Sequence, residues 1–249
     1  MKTIILFFSC MIFTIIALAQ EPEANVKEIK VTAPKFAGVK NAAAIHKSEK
    51  SQTINEYLAK NFHHPGNSEY RPEGTEVVQF NVTPAGELTD FVIINSVSPE
   101  IDQEMVRILE TTNGMWIPGF NNNVPAEMTK EVSLAFCTKS NSSKSVTEIF
   151  TEKATNCYFA GTKTLFEKQN PKKALKYYNW GINYLPNDQS LLLARGICRY
   201  ETGDKEGARQ DWERIKTLGG FDIEHWELTE NAKELDSYDE LISIFEDYK

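Results

Sequence analysis

The sequence predicts two domains in series: an α+β domain with an antiparallel sheet, followed by an all-α domain of helical repeats. The chain has 249 residues, which exceeds the length of one average domain. Apolar residues alternate from Glu76 to Thr83, a pattern typical of a half-buried strand. After Lys144 the pattern changes, and matching small and aromatic residues recur 34 positions apart.

Residues 1–19 have the features of a secretory signal peptide. Lys2 supplies a positive start, the run from Thr3 to Ala19 carries no charge, and Ala17-Leu18-Ala19 is a small-x-small cleavage pattern. We therefore predict cleavage after Ala19 and export to the periplasm or cell envelope. The alternative is an uncleaved inner-membrane anchor, because an apolar run of this length is at the lower limit for crossing a bilayer. Only a retained segment would give the protein membrane contact.

The α+β domain is predicted over residues 53–138, after a mostly irregular lead-in segment at 20–52. Thr53 and Glu56 form a capping-box pattern at the start of a helix, and Pro65 ends that helix by His64. Two strands then flank a turn at Pro84 to Glu87.

A second helix and a third strand complete the predicted domain. Pro99 is suited to the first turn of a helix, which Asn113-Gly114 ends. The third strand is predicted from Glu127 to Cys137. The predicted order is therefore helix, strand, strand, helix, strand.

This order resembles the C-terminal domain of TonB-type energy transducers. The resemblance covers about Pro34 to Cys137, with His64 standing where the family has a tyrosine before its proline. It is carried by Pro34-Lys35-Phe36, Tyr57-Leu58, Pro65, Glu73-Gly74-Thr75, the hairpin from Val82 to Leu88, and Trp116-Ile117-Pro118-Gly119.

The TonB resemblance implies a non-enzymatic protein that contacts outer-membrane transporters through a short segment added to an edge strand. An open edge offers unpaired N–H and C=O groups for such pairing. The candidate residues on the third strand are Lys130, Val132 and Leu134. The alternative is that the charges of Lys130 and Glu131 only protect this edge from unwanted pairing.

Residues 139–153 are expected to be a linker, and residues 154–220 to form two helical hairpins. Ala174 and Ala208 are 34 residues apart, as are Tyr178 and Trp212. This spacing resembles tetratricopeptide (TPR) repeats, whose period is 34. The first unit is one residue longer, and we place its extra residue in the loop near Asn170. Residues 221–249 carry ten acidic side chains and two lysines, and are expected to form acidic capping helices.

The repeats support a second hypothesis, a scaffold that assembles an envelope complex. Its candidate groove residues are polar positions on the first helix of each hairpin: Asn156, Lys163, Arg195 and Arg199. The alternative is an ordinary solvated helix face.

The sequence offers no motif for catalysis, for a cofactor or for a metal. HExxH, GxSxG and Walker-type patterns are absent, and no basic stripe suggests nucleic acid as a partner. Cys137, Cys157 and Cys198 remain after signal cleavage. They could include a Cys157–Cys198 disulfide, but we favour the interpretation that all three are buried free thiols.

Overall fold

The computed structural model describes residues 29–41, 52–64, 72–138, 143–220 and 231–246. The predicted signal peptide at 1–19 lies outside these ranges. Within them the chain is a mixed α+β protein with small antiparallel sheets and seven α-helices. Two separate apolar cores are present, one in each half of the chain.

The first half is built on a three-stranded antiparallel sheet with the strand order β4-β3-β8. These strands are β3 (Gly74–Val82), β4 (Leu88–Asn95) and β8 (Met128–Phe136). Helices α1 (Ile54–Asn61) and α2 (Pro99–Thr111) share a core with one face of this sheet. The first half thus contains two helices and a three-stranded antiparallel sheet, with three short strands between α2 and β8.

Local capping explains where these two helices begin. The Thr53 hydroxyl accepts a hydrogen bond from Glu56 N at 3.2 Å, and the Glu56 carboxylate accepts one from Thr53 N at 2.8 Å. This is the predicted capping box. Ser98 caps α2 in the same way, through Ile101 N, and Pro99 occupies the first turn.

Five further strands are too short for an alternation pattern to predict. They are β1 (Val31–Thr32), β2 (Lys35–Phe36), β5 (Trp116–Ile117), β6 (Gly119–Asn121) and β7 (Val124–Ala126). β2 pairs with β5, and β1 pairs with β6. Within the predicted lead-in, residues 31–32 and 35–36 thus form short strands. The buried Phe36 ring lies 5.3 Å from the Trp116 ring, which anchors this segment to the sheet domain.

The second half is a series of antiparallel helices. Their bounds are α3 (Val146–Thr162), a π-helical turn (Lys163–Glu167), α4 (Pro171–Tyr184), α5 (Gln189–Glu201), α6 (Lys205–Thr217) and α7 (Tyr238–Glu246). Helix α3 begins inside the predicted linker at 139–153, which is a correction. A capping box between Ser145 and Glu148 starts it there.

Glycines allow the helices of each hairpin to approach closely. A Cβ atom on Gly161 would lie 2.6 Å from the Tyr178 ring, and one on Gly196 would lie 2.2 Å from the Trp212 ring. The residues spaced by 34 are therefore the ones that fill these crossings. The extra residue of the first hairpin also has a structural counterpart. It coincides with the π-helical turn, a one-residue expansion of a helix, rather than with the loop near Asn170.

The helical domain packs on the second face of the sheet. Val77 of β3 points to that face and is buried, with α4 against the strand. Thr75 Oγ1 donates to the carbonyl of Tyr184, and Asn183 Nδ2 donates to the carbonyl of Glu73, both at 2.7 Å. Lys153 of α3 pairs with the Glu73 carboxylate. The two domains are thus joined by a polar seam.

Candidate protein-binding edge of the sheet

Strand β8 forms one outer edge of the three-stranded sheet. Its nine residues pair with β3 in an unbroken register from Val82↔Met128 to Gly74↔Phe136. Within the described ranges no strand pairs with the other side of β8, and no backbone group from another segment bonds to it there. This side is therefore a regular row of backbone donors and acceptors.

The hairpin after β3 fixes which residues of β8 point outward. Thr83 N donates to Glu87 O at 2.9 Å, so the backbone groups of Thr83 face β4. In an antiparallel ladder this direction alternates with each residue, so the groups of Val82 face β8. The Thr75 carbonyl obeys the same alternation, since it accepts a hydrogen bond from the Asn95 side chain of β4 at 2.7 Å.

This alternation places the predicted edge residues inside the ladder. Lys130, Val132 and Leu134 pair with Phe80, Val78 and Glu76, so their backbone groups bond to β3. Val132 is also buried in the core, whereas Lys130 and Leu134 are half-buried. The outward groups belong to the alternate residues of the strand: Thr129, Glu131, Ser133 and Ala135. The hairpin turn in the sequence carried the information needed to assign them.

The opposite edge, β4, is less suited to pairing with another strand. Its register with β3 shifts twice, between Val77 and Val78 and between Gln79 and Asn81. Asp90 in β4 has a left-handed backbone with φ of 53° and is exposed. Bulges and charge of this kind twist and block a sheet edge. β8 is therefore the more regular of the two edges.

One of the two charges thought to protect β8 is engaged elsewhere. Glu131 forms a bidentate ion pair with Arg214 of α6, with Oε2 2.6 Å from Nη2. Arg214 Nη2 also donates to Asn187 Oδ1 at 2.8 Å. The Glu131 carboxylate is thus drawn toward the helical domain, and Lys130 is the remaining candidate for protection of the edge.

A cleft of about 210 Å³ opens beside the C-terminal end of β8. Its walls come from the end of α1, the segment that follows it, and the last residues of the strand. The lining residues are Ala59, Phe62, His64, Pro72, Leu134, Ala135, Phe136 and Cys137. The rings of Phe62 and Phe136 are 4.9 Å apart, and His64 lies 5.1 Å from Phe62.

The predicted groove residues of the helical domain divide into two kinds. Asn156 on α3 and Lys163 in the π-helical turn are exposed. Arg195 and Arg199 on α5 instead bind Asp211 of α6, a buried carboxylate. Arg195 is bidentate at 2.6 and 2.9 Å, and Arg199 Nη1 lies 2.8 Å from Asp211 Oδ1. These arginines join the helices of the second hairpin, because an unpaired buried carboxylate would be costly.

The thiols in the described ranges are all unbridged. Cys198 is buried, whereas Cys137 and Cys157 are half-buried. Burial raises the pKa of Cys157 and of Cys198, which keeps both thiols protonated at neutral pH.

No protein-family model, curated protein or solved structure matches this chain. Across the part of the chain that the structure describes, no group of three or more His, Cys, Asp and Glu side chains is arranged to hold a metal ion. Among the described helices, none has the length and apolar character needed to cross a membrane.

Proposed function

We propose that the protein is a non-enzymatic adaptor of the cell envelope that binds an extended segment of a partner protein along β8. The carrying observation is the unbroken nine-residue edge, with the outward backbone groups of four alternating residues directed away from β3. Main-chain pairing of this kind gives affinity, and neighbouring pockets give specificity. The blocked β4 edge limits such pairing to one side of the sheet.

The proposed partner class and location rest on the sequence. The export pattern of residues 1–19 favours the periplasm, and the resemblance to TonB C-terminal domains favours an outer-membrane transporter as partner. If residues 1–19 are retained, we propose instead that the protein is a membrane-anchored energy transducer. N-terminal sequencing of the mature protein distinguishes these forms, because only the adaptor starts after Ala19.

The test is a proline at an outward position of β8. Ser133→Pro removes one outward N–H while its exposed side chain leaves the core unchanged, and proline is tolerated on edge strands. We expect peptides selected from a displayed random library on the wild-type protein to bind Ser133→Pro at least about tenfold more weakly, as judged by titration calorimetry.

Ser133→Ala is the matched control and should bind these peptides like the wild type, because it keeps the N–H. Val132→Pro provides a contrast and should unfold the sheet, since its N–H belongs to the ladder with β3. A folded Ser133→Pro protein with unchanged peptide affinity would contradict the proposal.

A second candidate function is the helical scaffold. It is favoured by an exposed stripe on α3 and the turn after it, in which Asn156, Phe159 and Lys163 follow helical spacing and 64% of Phe159 is exposed. Partner binding through this stripe would be lost in Phe159→Ser and unaffected in Ser133→Pro. Partner binding through β8 would instead be lost in Ser133→Pro and unaffected in Phe159→Ser.

A further inference from the structure

We propose that the cleft beside β8 is a specificity pocket that receives one aromatic side chain from the added strand. This inference rests on the proposed function, since the strand must first pair with β8. It goes further in naming the chemical class of the anchoring residue and its position in the partner segment.

The size of the cleft favours a single side chain over a free ligand. Its volume is about 210 Å³, below the roughly 300–1,000 Å³ typical of small-molecule pockets. The cleft borders the edge strand itself, because the consecutive residues Leu134 to Cys137 line it. A side chain carried by a strand on that edge can therefore enter it without leaving the ladder.

The chemistry of the walls favours an aromatic side chain. Phe62, Phe136 and His64 present rings to one another, with the His64 and Phe136 centroids 6.2 Å apart. Aromatic rings prefer tilted or edge-to-face contacts at about 4.5–7 Å, so a further ring can join this group. No Lys, Arg, Asp or Glu is among the described lining residues, so none of these residues would offer an ion pair to a charged anchor.

The ladder determines which partner residue enters. Leu134 and Phe136 point to the α1 side of the sheet and direct their backbone groups to β3. A partner residue opposite either of them would form a non-hydrogen-bonded pair, in which the side chains lie closest together. Cross-strand neighbours share a face, so this residue would point toward α1 and into the cleft.

The experiment uses capped nine-residue peptides of alternating threonine and glutamine, with one position varied among Phe, Leu, Ala and Lys. The varied position is moved along the peptide, and affinity is measured by fluorescence polarisation on the full chain. We expect one register in which Phe binds at least tenfold tighter than Ala, while Lys gives no gain.

Ala59→Trp fills the cleft from α1, at an exposed position where the core need not repack. It should reduce the Phe-to-Ala affinity ratio to about one and leave the Ala peptide unchanged. Lys60→Trp is the matched control, since Lys60 is the exposed neighbour outside the cleft, and it should keep the full ratio. Circular dichroism checks that both variants fold.

The outcomes separate the two proposals. Failure of every peptide to bind, or binding of the Ala peptide that Ser133→Pro leaves unchanged, contradicts strand addition itself. Binding that is sensitive to Ser133→Pro but has no preference for Phe overturns only the pocket, as does a tenfold preference that survives in Ala59→Trp. A dimer seen by sedimentation and dissociated by Ser133→Pro would mean that a second copy occupies the edge, which also overturns the pocket.

Discussion

At the scale of single residues, Glu76 has the most unusual environment in the sheet domain. Its side chain is fully buried, and Oε2 accepts a hydrogen bond from Val97 N at 2.8 Å. Oε1 is buried without a partner in the described residues. Burial raises the pKa of Glu76 to about 8, and the nearby Asp102 carboxylate adds to the rise.

The raised pKa predicts a stability that declines as the pH rises. The folded protein keeps a proton on Glu76 up to about pH 8, whereas the unfolded chain loses it near pH 4.5. The free energy of unfolding should therefore fall between these values. Glu76→Gln cannot ionise, so we expect a flatter pH profile and a gain on the order of 4 kcal/mol at pH 8.

Urea denaturation at several pH values between 5 and 8 measures this effect. Glu110→Gln is the control, because Glu110 is an exposed carboxylate on α2. An unchanged pH slope in Glu76→Gln would show that another group titrates.

The buried position of Glu76 could be predicted from the sequence, because the alternation of Val78, Phe80 and Val82 assigns Glu76 to the core face. Its partner at Val97 depends on how the β4–α2 connection folds, and no local pattern encodes that.

At the scale of elements, the spacing of 34 residues marks the helix crossings of the two hairpins. Gly196→Ala should destabilise the second hairpin by about 1–3 kcal/mol, because the new Cβ would overlap the buried Trp212 ring. Thermal unfolding of the helical domain measures this loss. Asn156→Ala, at an exposed helical position, should stay within about 0.5 kcal/mol of the wild type. Equal stability of Gly196→Ala would mean that the helices separate there without cost.

The elements that were predicted are those whose ends are set by residues close to them in the sequence. Thr53 and Glu56 fix the start of α1, and the turn after Thr83 fixes the hairpin. Ser145 and Glu148 form an equally local signal that was missed, so α3 begins earlier than expected. Strands β1 and β2 are a different case, because their two-residue pairings with β6 and β5 depend on contacts about 80 or more residues apart.

At the scale of the whole molecule, the ion pair between Glu131 and Arg214 should contribute to the docking of the two domains. Both side chains are mostly buried, with 26% and 15% exposed. Arg214→Met leaves a half-buried carboxylate unpaired, and we expect a loss of about 1–2 kcal/mol in the free energy of unfolding.

A double-mutant cycle with Glu131→Gln measures the pairing. The double variant should recover part of the loss, because no unpaired charge remains at the seam. Strictly additive losses would contradict the pairing.

The sequence predicted the third strand, which the structure places at an edge of the sheet, but not the candidate site as a whole. The third strand follows from the alternation of Val132, Leu134 and Phe136. The cleft does not, because Ala59 and Phe62 on one wall meet Phe136 on the other only after α1 packs under the sheet. The role of Arg195 and Arg199 does not follow from the sequence either, because their partner Asp211 lies on another helix.

The alternating side chains of β8 also give an added strand two different surroundings. Every second residue of a partner would face α1 and the cleft, and those between them would face the side where Glu131 meets the helical domain. Alternate side chains of one short peptide would thus contact two different domains. Undocking the helical domain would then change recognition at only one of the two sets, which makes the polar seam a determinant of partner choice as well as of stability.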